Sequence, residues 1–310
     1  MRPPASRSIR VIPGCPGSDC GPFHFSLQPL VCTLSPPVNE PLSNSVLVVL
    51  GHGATRNENS AAPVFQHAAE LRGRGIFAEV REAFWKQEPR IQTVLAGLSA
   101  PRIFIAPLFI SEGWFAGRVI PRALGFGEGA TLQAGPSTLH YCRPAGSHER
   151  MTGVIASRAA EIVRQFPFPR APKPSEITLF IAGHGTEKDP NSRQPIERQA
   201  GLIRSQHLYA SVHAIFLEEP PRIADCYALA QTRQIVIVPF FISDGLHTQK
   251  DIPVLLGEPE RIVEQRLAGG RPAWRNPTER NGRLVWYAPA VGSDPGIADV
   301  ILESAREAAK

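Results

Sequence analysis

Apolar positions in this chain come in short unbroken runs separated by amphipathic stretches, and the alternation begins near residue 45. Val46-Leu-Val-Val-Leu50 is uniformly apolar and ends at Gly51-His-Gly53, the pattern of a strand buried on both faces and followed by a tight turn. Residues 60–74 have helical spacing, with Pro63 tolerable only in a first turn. Ala78 to Phe84 alternates like a strand, Pro89 to Leu98 reads as a helix opened by proline, and Arg102 to Phe109 as a second buried strand. A weaker strand (Leu139 to Arg143) and a helix (Gly153 to Gln165) finish the unit. Residues 166–176 form a proline-rich linker. The order then starts again: strand 177–182, helix 194–206, strand 210–216, helix 221–231, strand 234–240, strand Leu284 to Pro289 and helix Gly296 to Ala309. Strands alternating with helices of this length predict an α/β chain of two tandem domains, each a parallel sheet covered by helices.

The second series is a copy of the first, at a constant offset of 132 residues that sets His52 on His184. Phe84 falls on Phe216, Pro89-Arg-Ile91 on Pro221-Arg-Ile223, and Pro107-Leu-Phe-Ile-Ser-Glu-Gly113 on Pro239-Phe-Phe-Ile-Ser-Asp-Gly245. From Leu47 to Pro121 roughly one position in three is identical. A repeat this long is a duplicated domain rather than a solenoid. The expected organisation is a poorly ordered tail (1–44), rich in Pro, Ser, Gly and Cys, then domains at 45–165 and 177–310 around the linker. Residues 257–283 lengthen the second copy and read as a lid or substrate wall, or as a plain surface loop.

Composition excludes several classes. No run of eighteen apolar residues is present, so no membrane span is expected. The N-terminus has basic residues without an apolar stretch behind them, which argues against a secretory signal. Five scattered cysteines do not suggest a disulfide framework, and Cys15, Cys20 and Cys32 match no strong metal-cluster spacing. A reducing cytoplasm is the expected setting. The net charge of +5 is spread out, without the interleaved aromatic and basic pattern of nucleic-acid grooves. There is no glycine-rich nucleotide loop, so no nucleotide is expected.

The copies differ where chemistry is expected. Ligands bind beyond the carboxyl ends of the strands in open parallel sheets, and His184, Glu218 and His247 all follow strands of the second copy. The first copy has His52, Lys86 and Phe115 at those positions. Two imidazoles and a carboxylate on one rim suit a borderline divalent ion and leave coordination positions open. A histidine that merely caps a strand accounts for His184, since the first copy keeps His52. It does not account for His247 standing against Phe115.

Gly183-His-Gly185, Phe216-Leu-Glu218 and the run from Val238 to Pro253, ending Leu-His-Thr-Gln-Lys-Asp-Ile-Pro, resemble the class II chelatases. These are the sirohydrochlorin cobaltochelatases and ferrochelatases of cobalamin and sirohaem biosynthesis. The segment Val291 to Ile301 is similar to that family's entry into its C-terminal helix. The resemblance covers most of 45–310 and implies two flavodoxin-like, chelatase-like halves facing across a cleft. It also implies a lyase that inserts a divalent metal (Co²⁺ or Fe²⁺, with Ni²⁺ acceptable to the same ligands) into sirohydrochlorin or a related tetrapyrrole without ATP. His184 and His247 match the metal-binding histidines, and Glu218 the acidic ligand. The family name does not say which half is active; the residues favour the C-terminal one.

Several expectations follow. A neutral imidazole, His184 or His247, takes a pyrrole proton as the metal enters. Arg193, Arg222 and Lys250, with Arg56 and Arg118 from the first half, are candidates to meet the substrate's carboxylates, although a solvated surface charge explains each as well. Asp244 and Asp251 are placed to orient His247, and Asp251 is equally suited to cap the next helix. The competing readings are a non-catalytic tetrapyrrole or metal carrier of the same fold and a metal-dependent hydrolase. A monomer and a homodimer are both compatible with the sequence.

Overall fold

The computed structural model describes residues 42–53, 60–186 and 192–310. Among these, the apolar runs fold into the central strands of two five-stranded sheets. The first contains β1 (Ser45–Gly51), β2 (Glu79–Phe84), β3 (Arg102–Pro107), β4 (Thr131–Ala134) and β5 (Ser137–Tyr141), in the order β2-β1-β3-β5-β4. The second contains β6 (Ile177–Gly183), β7 (Ser211–Phe216), β8 (Gln234–Pro239), β9 (Thr278–Arg280) and β10 (Arg283–Tyr287), in the order β7-β6-β8-β10-β9. Every residue of β1 and of β6 is buried, as a strand covered by helices on both faces requires. Phe84, Phe104, Phe180 and Phe216 are wholly buried, each contributing roughly 1.5–3 kcal/mol by leaving water.

Four strands of each sheet are parallel, as expected. The fifth is not: β4 and β9 run antiparallel to β5 and β10 at the edges. The 257–283 connection, read above as a lid or a loop, is therefore ordered structure. It supplies helix α8 (Glu260–Ala268) and edge strand β9.

The helices are α1 (Ala62–Gly73), α2 (Ile91–Ala96), α3 (Ile120–Ala123), α4 (Met151–Gln165), α5 (Gln194–Arg204), α6 (Cys226–Leu229), α7 (Ile252–Leu255), α8 and α9 (Ile297–Ala308). The helix expected over 221–231 shrinks to a 3₁₀ turn, Ile223–Asp225, and the single turn α6. The helix stops where Ala230 turns to extended backbone (ψ 125°) ahead of β8.

The last helix of each half covers the other half's sheet. Helix α4 packs on β8, β10 and α5, while α9 packs on β3 and α1. One core cluster accordingly runs through both halves, from Leu47 and Phe104 to Val238, Trp286 and Ile301. Residues 153–165, which end the first repeat in sequence, thus pack on the second sheet. The amphipathic pattern demanded a sheet to cover without specifying which. The seam is also polar and paired. Buried Arg158 donates to Ser293 Oγ (2.8 Å) and lies 3.3 Å from buried Asp294. His67 Nε2 donates to the Gly292 carbonyl at 2.7 Å, and Trp286 Nε1 to that of Phe166 at 2.8 Å. No helix among the described residues is long and apolar enough to cross a membrane.

Candidate metal-binding rim

Strand register brings the carboxyl ends of β6, β7 and β8 side by side. Gly183 is paired with Phe216, and Ala182 with Pro239. Glu218 N–H then donates to the His184 carbonyl (3.3 Å), which holds the exit of β7 against the Gly-His-Gly turn. A Cβ on Gly183 would collide with the Ile196 side chain, and Gly185 has φ +58° with Phe216 Cβ only 2.8 Å from where a Cβ would stand. Both glycines are therefore demanded by the turn that presents His184.

His247 sits in a π-helical turn, His247–Asp251, continuous with α7, rather than in the loop expected from sequence. Such wide turns are rare and gather at functional sites. The first half has the same turn, Phe115–Val119, leading into α3. Each is anchored from the fourth parallel strand by a buried tyrosine: Tyr287 O–H donates to the Thr248 carbonyl (2.7 Å) and Tyr141 O–H to that of Ala116 (2.8 Å). These tyrosines were missed in the sequence, where the longer second connection takes them out of the common offset.

The three predicted ligands meet through His184. Its Nε2 is 3.6 Å from Glu218 Oε1, and its ring lies 5.1 Å from that of His247, the two planes at 80°. All three side chains are about half exposed. His184 Nδ1 approaches the Gly185 carbonyl (3.2 Å), and His247 Nδ1 the Asp251 carboxylate (2.7 Å). With Nδ1–H donating in each case, both Nε2 lone pairs are left for an ion, the usual arrangement behind a metal-binding histidine. Among the described residues no three or more His, Cys, Asp or Glu side chains stand close enough together to hold a metal ion as a group.

The other candidates are scattered. Asp251 serves His247 and makes no capping hydrogen bond. Asp244 instead accepts the Ala290 N–H at 3.1 Å, joining the β8 exit to the segment after β10 rather than orienting His247. Lys250 is held by Glu260 (2.8 Å) and Glu264 (2.6 Å), a pairing that raises its pKa and engages it with the 257–283 insertion. Arg193 pairs with Glu197 and Glu219 and lies 4.9 Å from the Phe216 ring centroid. Arg222 is exposed, its backbone N–H bound to Asp225. Arg118 lies 5.7 Å over the Trp114 ring. Arg56 falls outside the described residues, as do Cys15, Cys20 and Cys32. Cys142 and Cys226 are free and buried, and burial pushes both thiols up to about 12, so neither is a nucleophile at neutral pH.

Glu219 was also missed. It is buried beside Gly185, 3.3 Å from the Arg193 guanidinium. The Glu218-Glu219 pair at a strand end, with an arginine across the turn, was the available signal. One further strand along the rim, at the end of β10, lies a cavity of about 910 Å³ bordered by Gln249, Arg271, Trp274 and Tyr287. Neither imidazole lines it, so this hollow adjoins the histidine turn without being the histidine site.

The molecule is thus two doubly covered α/β halves, the second of which carries two imidazoles and a carboxylate on one carboxyl rim. The chain belongs to the CbiX family, whose model matches residues 46–162 and again 178–308. It is 38% identical over 278 residues to a probable sirohydrochlorin cobaltochelatase of Halobacterium salinarum, covering 84% of this chain and 91% of that protein. Among solved structures it resembles a multi-domain protein of Deinococcus radiodurans described as structurally similar to chelatases, with two additional novel domains. The TM-score is 0.69 at 26% identity, over 85% of this chain and 54% of that one, so this chain spans about half of that protein. SirB from Bacillus subtilis, solved with Fe³⁺, shares the fold at a TM-score of 0.60 and 19% identity, covering 86% of this chain and 96% of its own.

Proposed function

We propose that this chain inserts a divalent metal, Co²⁺ or Fe²⁺, into sirohydrochlorin or a related tetrapyrrole, as a lyase that needs no ATP. The observation that carries the reading is the rim itself. His184 Nε2 lies 3.6 Å from Glu218 Oε1, and its ring 5.1 Å from that of His247, at the carboxyl ends of neighbouring strands. Family membership and the name of the Halobacterium salinarum relative support the same substrate class.

The metal is a substrate, so the site must bind it and then give it up. Half-exposed ligands meeting in pairs favour such exchange over a closed four-ligand cage, which would retain the ion. Insertion balances as one M²⁺ entering and two pyrrole N–H protons leaving. An imidazole Nε2 vacated as the ion passes to the ring accepts one of them, and solvent takes the other. Asp251 keeps His247 in the tautomer that leaves Nε2 free and stabilises the imidazolium formed if that ring takes the proton. The sequence shows no glycine-rich phosphate loop, which supports independence from ATP.

The test is anaerobic incubation of the protein with sirohydrochlorin and Co²⁺ or Fe²⁺, following the visible bands beside a His247→Ala variant. Insertion well above the spontaneous rate, lost in the variant, is the expected result. Equal rates with and without protein would contradict a chelatase; ring binding without insertion would point to a carrier.

A further inference from the structure

The first half's rim is built of rings where the second half carries ligands. Phe115 occupies the place of His247, and Lys86 that of Glu218. Phe115 packs 5.1 Å from the His52 ring and 5.9 Å from Trp85, with Lys86 Nζ 5.9 Å from its centroid. Trp114, immediately before the π-turn, is 60% exposed beneath the Arg118 guanidinium. Its counterpart Leu246, immediately before His247, is 65% exposed. Single exposed apolar side chains need no explanation. Two at the same place in both halves, each next to the chemistry-bearing turn, do.

The loop after β3 of the first half also borders the second half. Glu112, in the loop that leads to Trp114, lines a cavity of about 440 Å³ together with Gln194, Pro195 and Arg198 of the second half's α5. That helix follows the turn bearing His184.

We infer that the aromatic rim of the first half is the platform on which the tetrapyrrole lies, Trp114 stacking on the conjugated ring with Trp85 and Phe115 extending the surface. This rests on the chelatase reading and adds to it the substrate's seat. A flat conjugated ring stacks on exposed indole in offset geometry. Lys86 and Arg118, already set over the rings, bring positive charge to the acid substituents at the macrocycle's edge. Conversion of the first rim from ligands to rings then has a use: the ion arrives from the second half alone, while the opposite side grips the macrocycle.

The experiment is a titration of metal-free sirohydrochlorin, read by its visible bands, into the full-length protein and into Trp114→Ala, Trp114→Phe and His247→Ala variants, with Co²⁺ insertion measured in parallel. The expected result is a Kd raised roughly fivefold to tenfold in Trp114→Ala and largely restored by Trp114→Phe. His247→Ala should keep the wild-type Kd while losing insertion. If Trp114→Ala binds the ring as the wild type does while the wild type still inserts metal, the platform is wrong and the chelatase reading stands. If the wild-type protein neither binds the ring nor inserts metal, both fall.

Discussion

The two halves of this molecule have the same backbone and different ends. Both place Gly-His-Gly after a wholly buried strand, both follow the third strand with a π-turn, and both anchor that turn through a tyrosine hydroxyl. Much of what the halves share is what the fold requires: His52 Nδ1 approaches the Gly53 carbonyl at 2.8 Å as His184 Nδ1 approaches that of Gly185, and in the second half alone that shared histidine also faces a carboxylate and a second imidazole. What they do not share is the chemistry: Glu218, His247 and Asp251 against Lys86, Phe115 and Val119. A duplicated chain supplies its own control, because a residue kept for folding recurs in both copies and one kept for an ion need not.

The comparison can be broken at the seam. If the exchanged helices make the halves one cooperative body, removing Arg158 leaves Asp294 buried without its cation and destabilises both halves together. Arg158→Met should cost about 3 kcal/mol in urea unfolding, in a single transition. Two separate transitions, or a loss well under 1 kcal/mol, would mean that the halves stand independently.

A smaller effect separates the two π-turns. Asp251→Asn keeps the shape of the side chain but removes the charge that holds His247 in one tautomer. Insertion should fall about tenfold with the fold intact, whereas Val119→Asp, the same position in the first half, should leave the rate unchanged. Equal sensitivity at both positions would remove the distinction between the halves.

The smallest effect is on acid stability. His67, His140, His148 and His213 all have pKa values lowered chiefly by burial. The unfolded chain therefore binds more protons than the folded one below about pH 6.5. Stability is complete above that value and declines as the pH falls from there toward the lowered folded values. His67 adds a steric reason, since its buried Nδ1 has no hydrogen-bond partner with which to satisfy a second proton. Urea midpoints measured from pH 8 to pH 5 should decrease through this window; a midpoint rising on acidification would contradict the assignment.

Much of this was legible in the sequence because period and register are local properties. Val46 to Leu50 and Ile235 to Val238 are apolar without interruption, and only a doubly covered strand uses such a run. The ligand rim was legible because a gapless offset laid His247 on Phe115. Three features left no such mark. A π-turn differs from an α-turn by one hydrogen-bond register, which composition does not encode. Edge strands β4 and β9 are short and mostly solvent-facing, so no apolar alternation announces them. Helices α4 and α9 read as amphipathic, but which sheet each covers is decided by the whole chain. The cations were the poorest guide: Lys250 and Arg193 are committed to carboxylates that lie near them only after folding.

The most direct test of the central claim, that one half holds the ion, is a calorimetric titration of Co²⁺ into the metal-free protein beside His184→Ala and His52→Ala variants. One ion per chain, abolished in His184→Ala and retained in His52→Ala, is the predicted result. Two equivalent ions per chain, or binding that survives His184→Ala and disappears with His52→Ala, would contradict it.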